Sequence, residues 1–137
     1  MSSRLDISNQ IETDLKDSLQ ASRGYNFTPA EIKRGLHKFN DFMQKPSIGF
    51  SLVSDNPDGI GTARIFTYVF YGFTDTSDWT NSDDIYKLLE DIETFMDSDD
   101  NTYKACAYIQ EINVVEGGTS QPVNSFEMYV DFTFDLD

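Results

Sequence analysis

Side chains that carry nucleophilic or zinc chemistry are scarce in this chain. It holds one histidine, His37, and one cysteine, Cys106. A Ser-His-Asp or Cys-His system would need His37 as its base, and no Gly-x-Ser-x-Gly segment presents a serine to it. Structural zinc needs several Cys and His ligands, which the chain lacks. The sequence therefore predicts a protein that is not an enzyme and that needs no cofactor.

Carboxylates are plentiful, so calcium is the metal to consider. Asp97, Asp99 and Asn101 have the spacing of the first three ligands of an EF-hand loop. The match then ends, because Thr102 stands where the loop needs glycine and Tyr108 where it needs a bidentate glutamate. We interpret the segment as an acidic loop and assign no metal ligand to it.

The acid excess limits the partners that the protein can have. The 137 residues carry 10 Lys and Arg against 24 Asp and Glu, for a net charge of −14. Such a balance argues against a general nucleic-acid binder and against docking on anionic membranes, which both need clustered bases. No apolar run approaches the length of a membrane span. The length fits a single domain over 1–137.

The charge is distributed unevenly along the chain. Residues 1–45 hold seven bases and six acids, whereas residues 46–137 hold three bases and eighteen acids. Such asymmetry is typical of a head-to-tail contact between copies, in which a basic surface meets an acidic one. It is equally compatible with a charge that serves solubility alone. Both interpretations stay open on the sequence.

Hydrophobic periodicity predicts the elements that position these residues. Apolar residues at helical spacing predict helices over 4–22 and 83–96, with Gly24 ending the first. Alternating or continuous apolar runs predict four strands, over 47–53, 62–73, 103–115 and 125–136. Between them, 55–61, 74–82 and 116–124 have the composition of loops or turns. The last two strands should pair as an antiparallel hairpin.

Residues 28–44 allow two interpretations. The segment Thr28-Pro29-Ala30-Glu31 has the form of a helical capping box with proline at the first helical position. Helical spacing continues through Ile32, Leu36, Phe39 and Met43. Gly35 interrupts that pattern, and a short strand over 31–36 suits the fold better. We expect a helical turn or an extended segment here.

The last strand has one apolar and one acidic face. Even-numbered residues from Phe126 to Leu136 are apolar, and the odd-numbered positions include Glu127, Asp131 and Asp135. Such a strand buries one face and exposes the other. The element order therefore predicts an α+β fold: a mostly antiparallel sheet of about four to five strands covered by two helices.

A set of features follows one another in a recognisable order along most of the chain. They are the first helix and Gly24-Tyr25-Asn26-Phe27, Ile32-Lys33-Arg34-Gly35, the strand after Pro46, the long strand ending near Gly72, the helix Ile85–Met96, Glu116-Gly117-Gly118, and Phe126-Glu127-Met128-Tyr129-Val130. In this element order the chain resembles a known family, the tail terminator (tail completion) proteins of tailed bacteriophages. The family usually has a strand near Arg34-Gly35.

The resemblance implies a structural virion protein, made in the bacterial cytoplasm and without catalytic activity. It implies a homo-oligomer, a hexameric ring that caps the tail tube protein and joins it to the head connector protein. DNA would pass through the ring without specific binding, past a negative lumen that repels phosphate. The acidic face with Glu127, Asp131 and Asp135 is the candidate lumen or interface. The candidate docking loops contain Asp55, Asp58, Asp75, Asp78, Trp79 and Glu116.

Three other functions remain open on the sequence. The chain could be a head–tail adaptor or a tail tube subunit of the same particle. It could instead be a small acidic inhibitor that mimics DNA and blocks a nucleic-acid-binding enzyme. The inhibitor would be a monomer or dimer whose carboxylates bind a basic protein in a salt-sensitive way.

Overall fold

In the computed structural model, two helices pack on one face of a five-stranded sheet. The structure describes residues 4–57, 63–75, 83–117 and 123–135. The helices are α1 (Arg4–Ser18) and α2 (Asp83–Met96); the strands are β1 (Glu31–Arg34), β2 (Ser47–Pro57), β3 (Ala63–Asp75), β4 (Ala107–Val115) and β5 (Val123–Asp135). The predicted α+β class is confirmed. Neither helix in these ranges is long and apolar enough to cross a membrane.

The strand order is β1-β2-β3-β5-β4. β1 pairs with β2 in parallel, and the three other pairings are antiparallel. β3 therefore lies at the centre, as its apolar character on both faces predicts. β1 and β4 are the two edge strands. The predicted hairpin of the last two strands is present as β4 and β5.

The main core lies between the sheet and the two helices. Tyr68 and Phe132 are fully buried there with rings edge to face, 5.6 Å between centroids. The Tyr68 hydroxyl meets Ser8 of α1 at 2.6 Å, which satisfies a polar group that burial would otherwise penalise. α1 contributes Ile7, Ile11 and Leu15, and α2 contributes Ile85, Leu88, Ile92 and Phe95.

The first predicted helix is too long by four residues. α1 ends at Ser18, and Gln20 is extended with φ −138° and ψ 137°. A 3-10 turn over Ala21–Arg23 follows, and Gly24 ends that turn in the left-handed region with φ 96°. Leu19 is buried although it lies outside α1, so its apolar character extended the predicted helix past the real end.

Residues 28–44 form both a strand and a helical turn. β1 occupies 31–34, and a 3-10 turn covers Phe39–Asp41. The capping-box interpretation is wrong, because both of its side chains bond elsewhere. The Thr28 hydroxyl accepts the amide of Ala21 at 2.9 Å, and Glu31 accepts the amide of Met43 at 2.6 Å.

Several predicted strand boundaries need correction. β3 continues to Asp75 and β5 begins at Val123, so each extends two residues into a predicted loop. The larger differences are in β2 and β4. β2 continues through 55–57, which the sequence assigned to a loop, because Asp55 pairs opposite Phe66 and Pro57 opposite Arg64. A bulge between Leu52 and Ser54 shifts the register on the way. β4 begins only at Ala107, because a 3-10 turn covers 104–106.

Candidate interface surfaces

The sheet face turned away from the helices, here called the outer face, carries the acidic side of β5. Glu127, Tyr129 and Asp131 alternate on β5 with buried residues that face α2. The register places Tyr71 opposite Glu127 and Val69 opposite Tyr129, so β3 continues this face. On β4 it continues through residues 108, 111 and 113, which pair with positions 131, 129 and 127.

Residues 36–46, here called the covering segment, lie over the part of the outer face that β2 and β3 form. Phe42 is 1% exposed and packs against Val69 and Tyr71. The Tyr71 hydroxyl donates to the carbonyl of Gly35 at 2.5 Å and accepts the amide of His37 at 2.8 Å. Aromatic burial and two hydrogen bonds thus hold the segment against the sheet.

Gly49 makes this arrangement possible. A Cβ at position 49 would lie 2.3 Å from the Tyr71 ring and hydroxyl, far inside van der Waals contact. The tyrosine therefore lies flat across the β2 backbone and reaches Gly35. Glycine at this position is required by a close approach of a side chain and not by its backbone dihedral angles.

A cavity of about 270 Å³ opens beside the start of the covering segment. Its wall includes Leu36, Val53 and Val69, with Glu127 and Tyr129 on the β5 side. His37 also lines it, but its Nε2 lies 2.9 Å from the carbonyl oxygen of Arg34. Its Nδ1 lies 3.9 Å from Asp41. These contacts position the histidine within its own turn, and no serine or cysteine nucleophile contacts it in the described residues.

The outer-face acids have hydroxyl and amide partners. Glu127 accepts the Tyr129 hydroxyl at 3.0 Å, and that bond raises the pKa of the tyrosine. Asp131 accepts the Thr67 hydroxyl at 2.6 Å and a hydrogen bond from the Gln110 amide. In the ranges that the structure describes, no Lys or Arg lies within ion-pairing distance of these two acids. Their negative charge is therefore available to a partner or a passing ligand.

Two of the six candidate loop residues have described side chains, and both are engaged. Asp55 lies in β2, with its side chain 10% exposed, and pairs with Arg4 and with Arg64 at 2.8 Å. Burial opposes its ionisation, but the hydrogen bonds from the two guanidinium groups outweigh it, so the pKa of Asp55 lies below its usual value. Glu116 follows β4 and accepts the Tyr86 hydroxyl at 2.9 Å.

Of the remaining candidates, two have a described position in a strand and three do not. Asp75 is the last residue of β3, opposite Val123, and Asp135 is the last residue of β5, opposite Ala63. Asp58, Asp78 and Trp79 lie outside the described residues. The structure thus brings Glu127 and Asp131 together on the outer face, and it separates Asp55 from them on the α1 side of the sheet.

Sequence reasoning missed the edge formed by β4. This strand is nine residues long and, within the part of the chain that the structure describes, pairs only with β5. Tyr108 is 69% exposed, Ile112 is 37% exposed and Val115 is 48% exposed. A groove of about 750 Å³ between this strand and the end of α2 has Met96 and Ile109 in its wall. One signal was available, since 107–115 contains no Lys, Arg or Pro, the residues that protect an edge.

The opposite edge of the sheet is basic. Residues 31–45, which comprise β1 and most of the covering segment, contain four bases and two acids. Lys33 lies over the Phe42 ring at 5.4 Å, and Lys45 lies over the Phe39 ring at 4.0 Å. Lys38 is exposed. β4, at the other edge, carries a single charged residue, Glu111, so the two edges of the sheet differ in the sign of their net charge.

The described residues hold no group of three or more His, Cys, Asp or Glu side chains that could bind a metal ion. The amide of Asn101 donates to the carbonyl of Met96 at 3.2 Å, and its oxygen accepts the amide of Tyr103 at 3.0 Å. Asp99 points to solvent and pairs with Lys104 at 3.4 Å. The segment that resembles half an EF-hand loop is a helix-ending turn.

The geometry fits a binding or assembly surface. Among the described residues, the sheet has two unpaired edges that differ in charge, and Glu127 and Asp131 on its outer face have no cationic partner. A scan against models of known protein families finds no match to this chain, and a search of curated proteins finds no similar sequence.

Proposed function

We propose that this chain is a structural protein of a tailed phage, a tail terminator that assembles into a closed ring. The ring caps the tail tube and joins it to the head connector, with the DNA channel through its centre. The observation that carries the proposal is the outer face, where Glu127 and Asp131 accept only neutral hydrogen-bond donors in the described structure. The resemblance in element order supports the same role.

An acidic face suits a channel that DNA must cross quickly. Carboxylates of ordinary pKa are ionised at neutral pH and repel phosphate. Proteins that bind the phosphate backbone of DNA do so with Lys and Arg side chains. The part of the outer face formed by β4 and β5 presents neither residue type. The channel wall in this proposal is therefore the part of the outer face that the covering segment leaves open.

Ring closure needs two different surfaces on each copy. A heterologous contact closes into a ring when one surface of a subunit fits another surface of the next. The acidic β4 edge and the basic 31–45 edge lie on opposite sides of the same sheet, which is the arrangement such a contact requires. No catalytic step belongs to this function.

Mass measurement of the purified protein tests the proposal. We expect a ring of about six copies, formed either by the protein alone or on tubes polymerised from the tail tube protein of the same phage. A protein that stays monomeric at high concentration and does not bind such tubes overturns the proposal. A monomer that binds a basic protein in a salt-sensitive way supports the DNA-mimic inhibitor instead.

Charge reversal tests the channel. The double variant Glu127→Lys/Asp131→Lys should still form rings, and these rings should retain duplex DNA at low salt while wild-type rings do not. Glu90→Lys, on the exposed side of α2, is the matched control and should leave DNA retention unchanged. If rings of the double variant retain no more DNA than wild-type rings do, the outer face does not line the channel.

A further inference from the structure

We propose that subunits of the ring join edge to edge, with β4 of one copy pairing antiparallel with β1 of the next. The inference rests on the proposed ring for its closure, but the contact itself is argued from the two edges. It makes the five-stranded sheets of all copies continuous. The occupant of the β4 edge is thus a second copy of this chain.

β4 has the properties of a strand that is meant to be covered. An edge strand exposes unpaired N–H and C=O groups, and folded proteins protect such edges with Lys, Pro, bulges or short length. β4 is nine residues long, lacks both residue types and exposes Tyr108, Ile112 and Val115. Its one bulge lies between Ile109 and Glu111. Five regular residues, 111–115, remain beyond that bulge.

β1 matches this open stretch in length and direction. It has four residues, and in the described structure it pairs only with β2. Because β1 runs parallel to β2 and each later neighbour in the sheet reverses direction, β4 runs opposite to β1. Copies placed side by side around a ring keep that relation. The neighbour's β1 therefore meets β4 in the antiparallel sense, which allows a regular ladder.

Charge selects this pairing over a contact between two copies of β4. Glu111 pairs with Tyr129, so it lies on the outer face. In a continuous sheet the neighbour's covering segment lies on that same face, and it brings Lys38 and Lys45 toward Glu111. Two β4 strands would instead bring like charges together, which is unfavourable. The contact thus uses Lys38 and Lys45 of the covering segment and leaves Glu127 and Asp131 to the channel.

Charge reversal tests the contact without knowledge of its register. Glu111 and Lys38 are both exposed, so Glu111→Lys and Lys38→Glu should fold as the wild type does. Each variant should weaken association at least tenfold, and the double variant should recover most of that loss. Glu90→Lys is the control for charge alone. Unchanged association in either single variant, or no recovery in the double variant, overturns the contact.

Crosslinking distinguishes this contact from others. In a Cys106→Ser background, the chain with Glu111→Cys and Lys33→Cys is treated with a flexible bis-maleimide. We expect a ladder of dimers, trimers and larger species, and no product from Glu111→Cys alone. Dimers from Glu111→Cys alone would show a β4–β4 contact and overturn the inference.

The two proposals fail separately. If rings of the expected mass form but crosslinking gives no ladder, the edge contact is overturned and the proposed function is left standing. A ladder from a protein that neither forms closed rings nor binds tail tubes leaves the edge contact standing and overturns the proposed function.

Discussion

Carboxylates on the helix side of the sheet accept backbone amides or pair with guanidinium groups, whereas Glu127 and Asp131 on the outer face accept only side-chain hydroxyl and amide donors in the described structure. Asp91 of α2 is 4% exposed and accepts the amides of Asn26 at 2.8 Å and Phe27 at 2.9 Å. Asp14 of α1 accepts the amide of Thr102 at 2.9 Å. Each of these acids joins a helix to a loop distant in sequence. On the outer face, Glu127 accepts a hydroxyl from its own strand.

The difference shows how much of the charge can serve function. A net charge of −14 counts acids that hold the fold together along with acids whose charge the proposed assembly would use. Asp91, Asp14 and Asp55 belong to the first group, and substituting them should affect stability. Glu111, Glu127 and Asp131 belong to the second group, and substituting them should affect assembly or DNA passage. The following variants test that separation.

Gly49→Ala should give the largest loss of stability. The new methyl group would displace the Tyr71 ring, which would lose its bonds to Gly35 and His37. Overpacking together with the lost hydrogen bonds should lower the free energy of unfolding by about 2–4 kcal/mol, measured by urea denaturation. Gly24→Ala is a poor control because its φ is 96°, so Ser51→Ala, on the same face of β2, serves instead. A loss below about 1 kcal/mol would show that the covering segment adjusts freely.

Asp91→Ala should lower the free energy of unfolding by about 1–3 kcal/mol, because the amides of Asn26 and Phe27 lose their acceptor. Glu90→Ala changes the same charge at an exposed position of the same helix, so it should change stability by less than about 0.5 kcal/mol. Equal effects of the two substitutions would contradict the distinction between occupied and available acids.

Asp55 should contribute to acid sensitivity. Its pKa is lower in the folded protein than its ordinary value of 3.8, so the folded state binds fewer protons than the unfolded state. Its contribution is complete above that ordinary value and is lost as the pH falls through the folded pKa. The variant Asp55→Asn should therefore be less stable at neutral pH, and the difference from wild type should shrink below about pH 4. A pH-independent difference in urea midpoints would exclude this ionic role.

The double variant Glu111→Gln/Glu127→Gln should have the smallest effect on folding. Both side chains are exposed, and glutamine can still accept the Tyr129 hydroxyl, so the free energy of unfolding should change by less than about 0.5 kcal/mol. Any change should be an increase in the free energy of unfolding, because the variant removes like-charge repulsion. That increase should disappear in high salt. A loss comparable to that of Asp91→Ala would place these acids among the structural ones.

Several elements could be predicted because one periodicity fixed them. α2 spans 83–96 as predicted, from the acidic first turn at Asp83 to the last residue of its apolar stripe, Met96, and β5 keeps a strict alternation against two neighbours. The 28–44 segment could not be predicted, because Thr28 and Glu31 satisfy amides of Ala21 and Met43 that only the folded chain brings near. Asp55 to Pro57 looked like a turn, but pairing with β3 overrides local preference there.

The sequence predicted the acidic part of the candidate surface but not its exposed edge. The alternation in β5 predicted that Glu127 and Asp131 lie on the same solvent-facing side of the strand, and the structure places both on the outer face. The exposed edge at β4 depends on strand order, and a sequence pattern does not reveal which strand ends the sheet. Its lack of Lys and Pro becomes informative only once the topology is known. Asp55 shows the converse, because Arg4 and Arg64 occupy a carboxylate that composition alone would leave available.

The strand order also sets the order in which the chain can fold. β2 with β3 and β4 with β5 are local pairs, in which Asn56 meets Ile65 and Val115 meets Ser125. Joining them requires β3 to find β5, where Tyr68 faces Val130, 62 positions later in the sequence. Closing that long loop costs more chain entropy than either hairpin. We therefore expect the pairing of β3 with β5 to limit the rate of folding. α2 lies between the two hairpins in sequence and packs on both strands, so we expect it to favour that pairing.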